Sequence, residues 1–94
     1  PLARSLRFAV RHADGAPAPD VALAVRRAPG GSQIFHVTTD ARGEAHIADA
    51  RAAILEAAAS SLIEVAVLRL LPEPTPLPLD PHRCFEEPIA IELP

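Results

Sequence analysis

The stretch Val37-Thr38-Thr39-Asp40-Ala41-Arg42-Gly43-Glu44-Ala45-His46-Ile47 decides the fold class. Asp40 and Gly43 occupy the first and last positions of a four-residue turn, where type I turns favour them. An aspartate there accepts from the backbone two residues on. A glycine tolerates the left-handed conformation that often follows such a turn. On the way in, Phe35, Val37 and Thr39 share one face; on the way out, Ala45 and Ile47 do. That period of two predicts a half-buried pair of strands joined by a tight turn, with Asp40 and Gly43 as its structural residues.

Upstream, Ser5-Leu6-Arg7-Phe8-Ala9-Val10-Arg11 alternates, with Leu6, Phe8 and Val10 on one face and Arg7 and Arg11 on the other. It predicts a strand. Residues His12 to Asp20 form a loop, marked by Asp14-Gly15 and by Pro17 and Pro19. Val21-Ala22-Leu23-Ala24-Val25-Arg26 alternates again before the break at Pro29-Gly30-Gly31-Ser32. The third and fourth strands are Ile34–Thr39 and Glu44–Ile47.

Downstream the period changes. Residues 49–60 are mostly Ala, Leu and Ile, with Asp49 placed as an N-cap, and they predict a short helix. Ala50, Ile54, Ala57 and Ala58 fall on one stripe of it. Residues Leu62 to Leu70 predict a long strand with Ile63, Val65 and Val67 inward. From Leu68 onward its apolar residues occupy both faces, which a bulge or cover on both sides explains. Pro72, Pro74, Pro76, Pro78, Pro81 and Pro88 then predict an extended covering segment over 72–88, within which Leu77 and Leu79 alternate. Ile89-Ala90-Ile91-Glu92-Leu93 reads as a last strand. Short strands separated by turn signals, with a single helix, imply two packed sheets and not a parallel βαβ fold.

Three pieces of the chain carry a family resemblance. They are Phe8-x-Val10-x-x-x-x-Gly15-x-Pro17, Val21-x-Leu23-x-Val25 and Thr38-Thr39-Asp40-Ala41-x-Gly43-x-Ala45. In order and spacing they resemble the transthyretin-like and carboxypeptidase-regulatory-like domains over roughly residues 6 to 67. The proline-rich run after Leu71 departs from that pattern. The resemblance implies a mainly β fold: an Ig-like, transthyretin-like two-sheet β-sandwich of about seven strands with one short helix before the long late strand. It also implies an accessory, adhesive or carrier module. One catalytic branch, the hydroxyisourate hydrolases, resembles the chain in fold order only. That branch ends in a Tyr-Arg-Gly-Ser motif and this chain has no Tyr, so no catalytic residue carries over. The lysine–asparagine isopeptide staple of adhesin relatives is excluded by the absence of Lys.

Composition narrows the function classes. The 94 residues suit one domain, 1–94. Hydrophobic residues make up 49%, but many are Ala, so the core must come from Leu, Ile, Val and three Phe. A net charge of −3, spread along the chain, argues against nucleic acid, which needs a basic face. Every strong base is Arg, the mark of GC-rich and hence bacterial coding; lysine Schiff bases are excluded with it. No apolar run is long enough to span a membrane. Arg4 and Arg7 interrupt any apolar run before Val10, so no signal peptide is expected. With Cys84 alone, this leans toward a reducing, cytoplasmic setting. Pro1 is not an initiator Met, so the chain is compatible with a piece of a longer protein.

The chemistry-bearing residues are sparse. His36 and His46 flank the turn on the face away from the core, which would let them approach across a strand pair as a two-histidine surface site. The competing reading is two solvated histidines. Asp80, His82 and Cys84 at spacings of two would share one side of an extended segment, as a carboxylate–imidazole–thiolate stripe. A Cys beside Phe85 is more often a small packed hydrophobe. Glu86-Glu87 reads as a solvated acidic pair, and Gly30-Gly31 lacks the Lys and flanking pattern of a phosphate loop. No catalytic residue, metal ligand or cofactor is therefore assigned.

Leu68, Leu70, Leu71, Leu77 and Leu79 are more apolar groups than so short a chain is expected to cover. They are the expected contact to a partner protein, a neighbouring domain or a second copy. The expected function is a non-catalytic β-sandwich module that mediates protein–protein or interdomain contact. The alternative is a small transthyretin-like hydrolase, which a pocket collecting His and Arg would favour.

Overall fold

The computed structural model describes residues 5–94; Arg4, which bears on the signal peptide, and Pro1, which bears on a longer protein, lie outside the described residues. The chain forms seven strands and one helix in the order β1 (Leu6–Arg11), β2 (Ala22–Ala28), β3 (Gln33–Thr38), β4 (Glu44–Ile47), α1 (Arg51–Ala58), β5 (Leu62–Val67), β6 (Leu77–Leu79) and β7 (Ile89–Glu92). They make a three-stranded sheet, β4-β1-β7, and a four-stranded sheet, β3-β2-β5-β6. The alternating side chains of the two inner faces meet in one core. Leu6, Phe8 and Val10 of the first sheet and Leu23 and Val25 of the second are at most 1% exposed. This is a β-sandwich, and its pairs are antiparallel except β1 with β7, where Phe8 lies beside Ile89 and Arg11 beside Glu92.

Residues 37–47 do not form a hairpin. β3 pairs with β2 and β4 pairs with β1, so the turn between them carries the chain from one sheet to the other. Thr39 still bonds the β2 side: its N–H donates to Val21 O at 3.0 Å and its carbonyl accepts from Asp20 N at 3.1 Å. Its hydroxyl, buried, accepts from Val21 N at 2.9 Å and donates to Ala18 O at 2.7 Å. Four residues later Gly43 O accepts from Val10 N at 2.7 Å, and the chain has joined β1. A period of two says that each strand has one inner face; it does not say which strand lies beside it.

Two further expectations are corrected in detail. The helix runs over Arg51–Ala58 and not 49–60, with Ala50 at its N-cap and no side-chain capping bond. Asp49 instead holds the left-handed conformation, φ 54°, that swings the chain off β4. Ala50, Ile54 and Ala57 are buried, so the stripe faces the core and α1 lies against β5 and β3. Strand β5 ends at Val67 and does not continue to Leu70 through a bulge. Leu68 N still donates to Ala22 O at 2.9 Å, but Arg69 at φ 62° turns the chain away.

The proline-rich run is only partly extended. It supplies β6, where Leu79 faces Ile63 and Leu77 faces Val65. Pro78 is tolerated because β6 lies at the sheet edge. Residues 81–86 are turns. The Asp80 carboxylate accepts from His82 N at 2.9 Å and Arg83 N at 3.2 Å, while its carbonyl accepts from Cys84 N at 3.0 Å. Cys84 and Phe85 are thereby folded down onto the core.

Candidate functional site

Of the five leucines singled out by sequence, Leu79 is core, 7% exposed, because its strand position sets it against Ile63. Leu68 and Leu70 line a shallow hollow of about 230 Å³ at the end of the four-stranded sheet, with Asp20, His36, Thr38 and Arg69. Leu70 also packs against the core. Leu71 and Leu77 remain open to solvent, 90% and 39% exposed. They flank the segment that holds Pro72, Pro74 and Pro76. A third large apolar side chain, Leu62, is 78% exposed and was not among the five. Its signal was available: it is apolar in the outward phase of a strand whose inward phase is Ile63, Val65 and Val67.

The histidine expectation fails on topology. His36 stands opposite Ala24 in one sheet and His46 opposite Arg7 in the other. Both are exposed, on the outer faces of opposing layers. Among the described residues no three His, Cys, Asp or Glu gather as a metal site.

The Asp80–His82–Cys84 stripe fails as well. The segment turns instead of extending, so Asp80 spends its carboxylate on backbone N–H groups. The His82 N–H is the chief reason its carboxyl lies below the usual range. Cys84 is 7% exposed, and its thiol lies 3.9 Å from Pro81 O. Burial, aided by the nearby Asp80 charge, pushes it up to about 11, where it is a thiol and no nucleophile at neutral pH.

One site was missed by sequence reading. On the outer face of β1 and β4, Arg7 and His46 are register partners and open onto a cleft of about 430 Å³. Ser5, Asp40, Glu44 and Pro88 complete its polar and apolar rim. Arg7 is anchored by Nη2 donating to Phe85 O at 3.3 Å, while its Nε is buried with no partner among the described residues. Asp40 brings an ionised carboxylate to this rim, with its Oδ1 already engaged. Its Oδ1 accepts from Glu44 N at 3.0 Å and Arg42 N at 2.8 Å, and those bonds, Glu44 first, lower its pKa. The alternation of β1 showed that Arg7 faces outward. Its pairing with His46 depends on β4 lying beside β1, which no local pattern encodes.

The outer face of the other sheet carries an ion pair, Arg26 Nε to Glu64 Oε2 at 2.6 Å, between register partners on β2 and β5. Both side chains are largely shielded, so the pair belongs to the sheet's own cohesion. No family model matches the sequence, and no curated protein matches it.

Proposed function

We propose that this domain is a non-catalytic β-sandwich module of the transthyretin-like kind that docks onto another protein or a neighbouring domain. The observation that carries the reading is the pair Leu71 and Leu77, open to solvent on either side of a proline-stiffened run. Large apolar side chains left exposed close to one another on a small domain mark contact surfaces. Proline fixes the backbone beforehand and so reduces the ordering cost of binding. The test is site-specific photo-crosslinking from position 71 in the protein's natural host. Capture of a discrete partner chain, abolished by Leu77→Ser while circular dichroism shows that the variant is still folded, supports the module. Absence of any discrete adduct refutes it.

A second reading is supported by the Arg7–His46 cleft. A guanidinium held by Phe85 O beside an imidazole can bind an anionic group and shuttle a proton, which is the minimum of a hydrolytic site. Hydrolysis of an ester or amide panel that is lost on both Arg7→Ala and His46→Ala would favour this reading over the first.

A further inference from the structure

At one end of the four-stranded sheet three segments of backbone are tied together. Asp20 N donates to Thr39 O at 3.1 Å, Thr39 N to Val21 O at 3.0 Å and Leu68 N to Ala22 O at 2.9 Å. Val21 N is held as well, by the Thr39 hydroxyl at 2.9 Å. Asp20 stands where the chain approaches β2, and Arg69 where it has left β5, the neighbouring strand. Both hold the left-handed conformation, at φ 58° and 62°. Among the described residues the one other non-glycine residue that does so is Asp49, at φ 54°. Aspartate visits that region readily, whereas arginine does so at a cost. Strain of that kind persists because the surrounding bonds impose it, and it collects where side chains must be aimed.

Here two opposite charges are aimed at one concavity. Asp20 and Arg69 line the hollow of about 230 Å³, with His36 and Thr38 beside them. Its floor is apolar: Ala22, Val67 and Leu93 are buried, and Leu68 and Leu70 half-buried. Among the described residues the ion pair is Arg26 with Glu64 alone, so Asp20 and Arg69 share the hollow without closing on each other. An acid and a base so placed leave room for a ligand that carries both charges. Small-molecule sites combine an apolar lining with a few convergent polar groups, and those for drug-sized ligands span about 300–1,000 Å³. The hollow is smaller than that and suits a smaller molecule.

We propose that it binds a free α-amino acid with an apolar side chain. The ligand's carboxylate meets the Arg69 guanidinium, whose fork of donors matches two carboxylate oxygens. Its ammonium meets the Asp20 carboxylate, and its side chain lies on Leu68 and Leu70. A peptide is a poorer fit, because its terminal charges stand more than one carbon apart. This goes beyond the docking reading, which rests on Leu71 and Leu77, and the hollow is separate from the Arg7–His46 cleft on the other sheet.

Titration of the isotope-labelled protein with L-leucine, followed by its amide chemical shifts, tests this. The expected result is saturable shifts confined to residues 20–22, 36–38 and 67–70, with a Kd in the micromolar to millimolar range for a ligand of so few atoms. N-acetyl-L-leucine lacks the ammonium and L-leucinamide lacks the carboxylate, and each should bind about tenfold or more weakly. Asp20→Asn and Arg69→Gln should each weaken L-leucine to a similar extent, with circular dichroism showing that both remain folded. N-acetylation should then cost nothing further in Asp20→Asn, nor amidation in Arg69→Gln. Glycine, with no side chain to lay on the leucines, should bind more weakly than L-leucine. An unfolded variant leaves the two derivatives on the wild-type protein to decide. No saturable shift up to the solubility limit of L-leucine overturns the proposal. So do shifts centred elsewhere, derivatives that bind as well as L-leucine, or binding that both substitutions leave unchanged.

Discussion

Gly43 is held at φ +73°, and a Cβ there would run into Val10 O and come 2.8 Å from Ala18 N. Gly15, at φ +88°, has open space around it. The two glycines therefore separate backbone strain from collision. Gly15→Ala should cost about 1–2 kcal/mol, the ordinary penalty of the left-handed region. Gly43→Ala should cost more, because backbone on two other segments must also give way; urea denaturation of both variants measures the difference. The left-handed turn was legible from Asp40 and Gly43 alone. The close approach was not, since Val10 and Ala18 reach Gly43 only once the sheets are assembled. Asp40 gives a pH-dependent counterpart. Its carboxyl lies below the ordinary 3.8 because Glu44 and Arg42 N–H groups bond the ionised form. The folded state thus favours the ionised form. The stabilisation is complete above the unfolded value and is lost as pH falls through the folded one. Asp40→Ala should lower the melting temperature at pH 7, and the gap to wild type should close in thermal scans taken down toward pH 2. Cys84 makes a third residue-scale case. A thiol raised to about 11 and packed on the core should resist alkylation in the native protein at neutral pH and react only on unfolding. Fast native labelling would show an exposed thiolate.

Elements were easier to read than their neighbours. Every strand but β6, which was read only as part of a covering segment, announced itself by alternation, and the Ala-rich stripe announced the helix, because both patterns are local consequences of burying one face. Partner choice is different. Phe35, Val37, Ala45 and Ile47 would look the same in a hairpin as in two strands of opposing sheets. What decides is Thr39, whose buried hydroxyl bridges Val21 N and Ala18 O at the corner where the chain changes layers. Thr39→Val keeps the size and removes both bonds. It should cost about 1–3 kcal/mol, since a buried donor and a buried acceptor lose their partner. Thr39→Ser, which retains the hydroxyl, should recover most of that in the same denaturation series. The Asp80 segment shows a second limit of local reading. Asp80 with Pro81 has strong turn chemistry, and the carboxylate's bonds to His82 N and Arg83 N outcompete the extended form that the neighbouring prolines suggest. Cys84 is drawn inward with that turn, and the nucleophilic stripe disappears.

At the scale of the molecule, the number of leucines was readable and their division between core and surface was not. Leu71, Leu77 and Leu79 lie on one proline-rich run, yet they are 90%, 39% and 7% exposed. The difference arises because β5 offers an open edge that β6 completes: Leu79 and Leu77 share the inner phase of β6, opposite Ile63 and Val65, but only Leu79 is covered there, while Leu71 precedes the strand. Substitution by Ser turns this division into a measurement. Leu79→Ser removes a buried side chain and leaves a hydroxyl in its place. Large-to-small changes of this type cost about 2–5 kcal/mol. A chain of this size has a total stability on the order of 5–14 kcal/mol, so the loss is a large fraction of it. At ~4–8 °C per kcal/mol, Tm should fall by on the order of 10–40 °C. Leu71→Ser gives up no burial and should leave Tm within a few degrees of wild type, with Leu77→Ser between the two. Thermal unfolding followed by circular dichroism ranks all three. If Leu71→Ser were as damaging as Leu79→Ser, Leu71 would be a core residue, and the docking surface built on it would be withdrawn.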